Sequence, residues 1–299
     1  MVIAAAAPAR DNKPETRQSA VKQITYAAPK RLCVLANRKI DESSGIAISR
    51  RTKDIFWTHN DSGDKANIYA FDMNGNDLGT FRIIGAKAND WEDMASFTIA
   101  NKPYLLLADT GDNNRQRKTY DLYILPEPTI RNNTRKWQKS AKVKIKITFT
   151  YPDGPHDCES VAVDTVGKMI YLATKTDNGK AKLYAISLPA RTPTGVIRAK
   201  VIARLSVPYA TAMDISADNK RAVVLTYFYA MEFTRSYNQT WAKAFAGQAD
   251  FIMMPLRKQG ESICYGPDNK TLYLTSEQLP TPLWVIPVKK DSRGRDRGP

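Results

Sequence analysis

Acidic side chains recur at similar points along a chain that is basic overall. The 299 residues carry a net charge of +15, with 45 Lys and Arg against 30 Asp and Glu. The recurring acids are Glu42, Asp93, Asp109, Asp157, Glu159, Glu261 and Glu277. If the fold brings them together, their mutual repulsion must be offset by protons, a cation or a basic partner. A hard divalent ion bound by carboxylate, amide and backbone oxygens is the chemistry that this set suggests.

A repeat must position these acids. Five segments each begin with a short strand-like run, continue through a turn and then enter a second apolar run; they open at Ser44, Asp93, Glu159, Thr211 and Glu261. The openings are 49, 66, 52 and 50 residues apart. A period of roughly 40–50 residues with several strands per unit is typical of propeller blades. We therefore predict an all-β chain that forms a single β-propeller over residues 31–288, with five blades and six as the alternative.

Three further segments fit this prediction. Leu32–Ile40 precedes the first repeat and would supply the outer strand of the last blade, closing the ring. Lys142–Ile147 alternates strictly between polar and apolar residues, as an outer strand with one wet face would. Only Asn238–Gly247 has the pattern of a short helix.

The blade plan predicts which residues share one mouth of the central channel. The first strand of a blade lines the channel and the second runs antiparallel to it, so the start of one and the end of the other lie at the same face. The residues sixteen positions after the five openings are Asn60, Asp109, Lys175, Tyr227 and Glu277. The residues two positions before the same openings are Glu42, Trp91, Asp157, Tyr209 and Gln259. We expect these side chains around one mouth, with His59 and His156 nearby.

The predicted ligands of a divalent cation, with calcium favoured, are Asp93, Asp109, Glu159, Glu261, Glu42, Asn60 and Asp61. The alternative is that these acids pair with Lys or Arg, or accept turn amides. The loops His59–Asp64 and Asp109–Asn114 both contain Asp-x-Gly-Asp, which suits either a cation loop or a tight turn. Neither has the Glu that ends an EF-hand loop.

Sequence signatures of nucleophilic catalysis are missing. The chain has two histidines and no Gly-x-Ser-x-Gly, Walker or His-Glu-x-x-His motif. His156 would lie near the predicted mouth, where an acid–base role is conceivable. Cys33, Cys158 and Cys264 are far apart and odd in number, so they indicate neither a zinc ribbon nor a disulfide framework.

Basic residues concentrate in one internal segment and at the two ends. Arg131–Lys146 contains seven bases and no acid, with Trp137 in the middle. This segment could bind a polyanion or could be an edge strand protected by lysine, and we favour the second interpretation. Residues 1–30 are expected to be a flexible leader resembling the end of an export signal, and residues 289–299 a basic tail. No apolar stretch approaches 18 residues, so no membrane-spanning helix is expected.

Several motifs occur together in a recognisable order: His59–Asp64, Asn89–Ala95, Ala108–Asn114, Pro126–Pro128, Tyr151–Pro155 with Asp157-x-Glu159, Ala212–Ser216 and Gln259–Ile263. Over about residues 40–288 the chain resembles bacterial, mostly exported β-propeller proteins of unassigned function, which carry labels such as WD-repeat-like or PE-PGRS-like. The resemblance implies a propeller fold and an extracytoplasmic location but no activity.

We therefore expect an exported binding or interaction protein whose acidic mouth holds a divalent cation. Its rim and basic tails would contact a protein or anionic partner, with nucleic acid a less favoured one. One alternative is a cation-dependent hydrolase of a lactone or phosphoester, with Asp93, Glu159 and Glu261 as ligands and His156 or Glu42 as base. Another is a structural subunit of a larger assembly. Whether the protein is an enzyme stays open at this point.

Overall fold

Apolar residues in short runs, separated by turns, form antiparallel strands whose two faces are both covered. The computed structural model describes residues 21, 23–130, 139–290 and 294–298. Their strands form five sheets of four or five strands each, and in each sheet the inner strands follow one another antiparallel from the channel outward. This arrangement confirms the predicted five-bladed β-propeller.

The strands follow one another along the chain blade by blade. Strand β1 is Lys30–Val34, and blade 1 follows with β2 (Ser43–Ile48), β3 (Ile55–Asn60), β4 (Asn67–Asp72) and β5 (Asp77–Ile84). Blade 2 has β6 (Trp91–Ile99), β7 (Lys102–Asp109) and β8 (Tyr120–Pro126); then come β9 (Lys139–Lys142) and β10 (Ile145–Thr150). Blade 3 has β11 (Cys158–Asp164), β12 (Met169–Thr174) and β13 (Ala181–Ser187), followed by β14 (Ile197–Arg198) and β15 (Lys200–Leu205). Blade 4 has β16 (Ala210–Ile215), β17 (Arg221–Thr226), β18 (Tyr229–Thr234), helix α1 (Trp241–Phe245) and β19 (Asp250–Met253), and blade 5 has β20 (Ser262–Tyr265), β21 (Leu272–Thr275) and β22 (Pro282–Ile286).

The hydrophobic core lies between the blades. Five clusters of buried apolar side chains occur among the described residues, and each is shared by two neighbouring sheets. Phe56 and Leu283, for example, pack between blades 1 and 5. Because each blade is covered on both faces, the inner strands β2, β11, β16 and β20 are buried along their whole length. This packing holds the starts of the inner strands at fixed positions around the channel.

The ring closes through the N-terminal strand, as predicted. Strand β1 pairs antiparallel with β22, so blade 5 takes its outer strand from the start of the chain. The strand Lys30–Val34 begins and ends earlier than the predicted Leu32–Ile40. Leu35 follows it directly and donates its amide to the carbonyl of Thr281, next to β22, at 2.9 Å, and Ile40 is fully buried.

The basic insertion after blade 2 adds edge strands. The predicted single strand Lys142–Ile147 is in fact divided, since β9 pairs in parallel with β5 of blade 1, whereas β10 pairs with β8 of blade 2. In β10 the exposure alternates as the pattern indicated. Residues Arg131, Arg135, Lys136 and Trp137 lie outside the described residues. The predicted short helix is confirmed as α1, where Thr240 accepts the amide of Lys243.

The described parts of both termini contact blades 4 and 5. The hydroxyl of Tyr26 donates to Glu232 at 2.6 Å, and the amide of Thr25 donates to the carbonyl of Arg297 at 2.9 Å. Residues 23–30, expected to be part of a flexible leader, therefore pack on the propeller. Among the described residues, no helix has the length and apolar character needed to cross a membrane.

Candidate metal centre at the channel mouth

Seven carboxylates meet at one mouth of the channel. We call them the acidic rim: Asp61, Asp90, Glu92, Asp157, Glu159, Glu261 and Glu277. They form three overlapping groups, namely Asp61 with Asp90 and Glu92, Asp61 with Glu261 and Glu277, and Glu92 with Asp157 and Glu159. Within each group, one oxygen from every residue lies within 4.8 Å of the others. Blades 5, 1, 2 and 3 all contribute, so the prediction of an acidic mouth agrees with this placement.

A repeated irregularity of the inner strands directs the glutamates to the rim. In blades 1 to 4 the pairing of the first two strands skips one residue of the inner strand, and the skipped residues are Ser44, Glu92, Glu159 and Thr211. A bulge of this kind re-aims a side chain at the end of a ladder. Glu261, just before β20, occupies the corresponding position in blade 5. Three of the five blades therefore place a glutamate at the same point of the mouth.

Asp93 lies one residue away from the position expected for it. The register makes Glu92, not Asp93, the counterpart of Glu159, and a slip of one residue turns a side chain to the opposite face. The Asp93 carboxylate accepts the amides of Met94 and Val161 at 2.8 Å and of Met213 at 3.1 Å. It thus ties blades 2, 3 and 4 together below the rim and belongs to none of the three groups.

Asn60 and Asp109 also lie within their blades rather than in the three groups. Asp109 is fully buried, forms an ion pair with Arg117 at 2.9 Å and accepts the side-chain amide of Asn89 at 2.7 Å. Asn60 donates to the carbonyl of Lys39 at 2.6 Å. Asp109 is therefore paired with an arginine of its own blade, which is the alternative to cation binding that the sequence left open. Glu42 is exposed at the outer edge of the rim.

The Asp109–Asn114 loop is a turn that supports the rim. Asp112 accepts the amides of Gln116 and Arg117 at 2.8 and 2.9 Å, as a turn carboxylate does. The Asp112 amide in turn donates to Asp157 at 2.9 Å. A Cβ atom on Gly111 would stand 2.0 Å from a carboxylate oxygen of Glu92, so a larger residue at this position would force that carboxylate to move. The loop therefore holds Glu92 and Asp157 in place without supplying the ligand atoms of the groups.

Burial and mutual repulsion favour protons on the rim in the absence of a cation. Burial and neighbouring carboxylates raise the pKa of Asp61 and of Asp90 to about 6. The same two causes raise the pKa of Glu92 well above its usual range. Burial and a hydrogen bond with Glu261 raise the pKa of Glu277 to about 9. These shifts mean that a bound divalent cation would displace protons from the rim.

Glu159 has one oxygen satisfied and one free of partners. Its Oε1 accepts from the ammonium group of Lys175, whereas Oε2 is buried and has no hydrogen-bond partner among the described residues. The side chain is only 4% exposed. Glu92 and Asp157 lie beside it and are buried too. A buried carboxylate oxygen without a donor is costly, so Glu159 is well suited to act as a ligand of a cation.

Blade 4 supplies aromatic rings in place of acids. The rings of Tyr209 and Tyr227 lie 5.8 Å apart, and the Lys175 ammonium stands 5.0 Å from the centre of the Tyr227 ring. The Tyr227 hydroxyl donates to Glu261 at 3.2 Å. Lys175 and Glu277 thus lie at the mouth, as the sixteen-residue offset predicted.

Both histidines are held by local contacts. His59 is fully buried, and burial lowers its pKa to about 4, so it is neutral at physiological pH. Its ring meets Trp91 edge-on at 5.5 Å. His156 contacts the Tyr184 hydroxyl at 2.8 Å and Asp153 at 3.1 Å, on the outer side of the neighbouring Asp157. Neither histidine belongs to the three carboxylate groups.

Comparison with known proteins finds only distant structural similarity. No protein-family model and no curated protein matches the sequence. A gluconolactonase from Xanthomonas campestris has a similar structure at 9% identity and a TM-score of 0.44, covering 92% of this chain and 99% of that one. A chain of the nidogen–laminin complex is similar at 12% identity and a TM-score of 0.45, covering 79% and 73%. Similarities this distant say nothing about the activity of this chain.

Proposed function

We propose that the protein is a binding propeller that holds a hard divalent cation, calcium in preference, at Glu92, Asp157 and Glu159. The observation that carries the proposal is the grouping of Glu92, Asp157 and Glu159, in which one carboxylate oxygen from each residue lies within 4.8 Å of the others. Within this group, Oε2 of Glu159 is buried and has no hydrogen-bond partner among the described residues. Oxygen-only ligand sets suit calcium and magnesium. Three carboxylates from two adjacent blades would neutralise the ion and relieve their own repulsion.

Calorimetric titration of the full chain with calcium tests this proposal. We expect about one site per chain with a dissociation constant on the order of 10⁻⁵ to 10⁻³ M. Glu159→Gln should abolish that binding, whereas the exposed Glu42→Gln should leave it nearly unchanged. Equal calcium binding by the wild type and the Glu159→Gln variant would overturn the proposal.

A hydrolase is the second candidate, and the pair Glu261–Glu277 favours it. Because the pKa of Glu277 is raised to about 9, its carboxyl is protonated at neutral pH and can donate to a leaving group. A cation bound at the rim would polarise a lactone carbonyl or a phosphoryl oxygen, or activate water. The test is calcium-dependent hydrolysis of a simple lactone and a simple phosphoester. Loss of turnover in Glu277→Gln with calcium binding retained would support the enzyme.

Export and the use of the basic segments remain part of the proposal. An extracytoplasmic location would suit a calcium site of moderate affinity. The three cysteines are unpaired in the structure.

Fractionation of cells that produce the chain would test export. Co-purification with and without the terminal segments would test whether they bind an anionic or protein partner, as a subunit of a larger assembly would require.

A further inference from the structure

The acidic rim is interrupted on the side of blade 4. There the bulge residue is Thr211, whose hydroxyl donates to the carbonyl of Gly260 at 2.8 Å, and the two rim positions carry Tyr209 and Tyr227. Tyr209 has a φ of 49°, in the left-handed region that bulky residues rarely adopt. Its amide is held by the carbonyl of Thr176 at 2.7 Å. Backbone strain of this kind is retained where the position of a side chain matters.

Lys175 lies at the boundary between the acids and the aromatic rings. Its ammonium group contacts Oε1 of Glu159 and stands 5.0 Å from the centre of the Tyr227 ring. Burial lowers the pKa of Lys175, but the Glu159 carboxylate and Tyr227 together raise it by more, so the net effect is a raised pKa. Because Glu159 also forms a group with Glu92 and Asp157, its carboxylate would contact both the ammonium and a cation bound in that group.

The residues below the rim belong to the fold. There the Asp93 carboxylate accepts the amides of Val161 and Met213 and so joins the inner strands of blades 2, 3 and 4. A group that enters from the mouth and contacts both the cation and Lys175 would direct the rest of its molecule outward, along the faces of Tyr209 and Tyr227.

We propose that the mouth, once loaded with a divalent cation, binds a small organic oxyanion whose carboxylate or phosphate contacts both the cation and Lys175, beside the Glu159 carboxylate, and whose ring packs on Tyr209 and Tyr227. This inference rests on the proposed cation site. Two positive groups side by side select an anion, and aromatic faces favour a ring-shaped body over a bare ion. Since carboxylates and phosphates share the recognised chemistry, the test must separate them.

The experiment is calorimetric titration of the full chain, with saturating calcium and with chelator. The probes are acetate and benzoate for the carboxylate arm, and methyl phosphate and phenyl phosphate for the phosphate arm. We expect the probes to bind only when calcium is present. Benzoate should bind about tenfold more tightly than acetate, or phenyl phosphate about tenfold more tightly than methyl phosphate, or both. Lys175→Met should weaken that arm at least tenfold while calcium binding is retained. Tyr227→Leu should remove the advantage of the aromatic probe, and Lys182→Met, which alters an ammonium paired with Asp153, is the matched control.

The outcomes separate the two proposals. Calcium binding without binding of any probe, or probe affinity unchanged in Lys175→Met, overturns the oxyanion inference and leaves the cation site standing. Probe binding that is equally strong in chelator also overturns it. If calcium itself does not bind, the proposed function fails and this inference fails with it.

Discussion

The channel contains two layers of buried acids that differ in how their oxygens are used. In the lower layer Asp93 accepts three backbone amides, and Asp214 accepts those of Ile215 and Tyr265, both at 2.8 Å. In the acidic rim, carboxylates face one another, and Oε2 of Glu159 has no partner among the described residues. Glu92 and Asp93 are adjacent in sequence and both buried, yet they belong to different layers.

This difference separates structural acids from ligand candidates. The lower carboxylates join neighbouring blades by satisfying amides that would otherwise be buried without acceptors. The rim carboxylates are buried and lie close to one another, and both causes raise the pKa of Glu92 and Glu277. Removing a lower acid should therefore cost stability, whereas removing a rim acid should cost cation binding.

The largest effect is expected for Asp93→Ala. Three buried amides would lose their acceptor, which should reduce the free energy of unfolding by about 3 kcal/mol or more. Urea unfolding measures this loss. The free energy of unfolding of Asp93→Asn should lie between those of Asp93→Ala and the wild type. Glu92→Gln provides the contrast in chelator, where its unfolding free energy should stay within about 1 kcal/mol of the wild type. If Asp93→Ala and Glu92→Gln lowered the free energy of unfolding by similar amounts, the distinction between the two layers would be contradicted.

Glu159→Gln should show the opposite behaviour. It removes the unpartnered oxygen and one negative charge, so calcium affinity should fall at least a hundredfold, about 2.7 kcal/mol. Its melting temperature in chelator should equal or exceed that of the wild type, because repulsion within the rim is reduced. A large loss of stability in chelator would instead mean that Glu159 acts mainly through its contact with Lys175.

Calcium affinity should depend on pH. Because burial and neighbouring carboxylates raise the pKa of Asp61 and Asp90 to about 6, these groups hold protons below that pH, and protons then compete with the cation. Affinity should fall at least about tenfold from pH 7.5 to pH 5.5. Calorimetry in buffers of different ionisation enthalpy should detect proton release on binding. Affinity that is constant over this range would mean that the rim is already ionised without a cation.

The smallest effect is expected for Gly111→Ala. The added methyl group would stand 2.0 Å from Oε1 of Glu92 and 2.4 Å from Oδ2 of Asp90, so both carboxylates must move. We expect calcium affinity to fall about fivefold, roughly 1 kcal/mol, with the fold retained by circular dichroism. Unchanged affinity would show that Glu92 and Asp90 are free to reposition.

The sequence predicted the fold well because a blade repeats its plan every fifty residues or so. Of the residues singled out from the sequence, Asp157, Glu159, Glu261 and Glu277 lie in the acidic rim, and Lys175 contacts Glu159. These positions follow from strand pairing alone, which extends to the rim: the amides of Asp61 and Lys175 donate to the carbonyls of Glu42 and Asp157, both at 3.0 Å.

The choice of Asp93 over Glu92 shows what the repeat could not predict. A bulge adds one residue to a strand, and hydrophobic spacing does not reveal where it lies. The signal was present in another form, because Asp90-Trp-Glu92 and Asp157-Cys-Glu159 share an Asp-x-Glu pattern that aligns Glu92 with Glu159. The role of Asp109 could not be predicted because its partner Arg117 lies beyond a turn whose path the sequence leaves open.

The central claim is that the rim, unlike the layer below it, is completed by a cation. The most direct measurement is the calcium content of the purified chain together with its melting temperature in calcium and in chelator. The account predicts about one calcium per chain and a melting temperature that rises with calcium concentration and falls in chelator. No bound calcium and identical melting in the two conditions would contradict it, and the rim acids would then be balanced by protons and Lys175 alone.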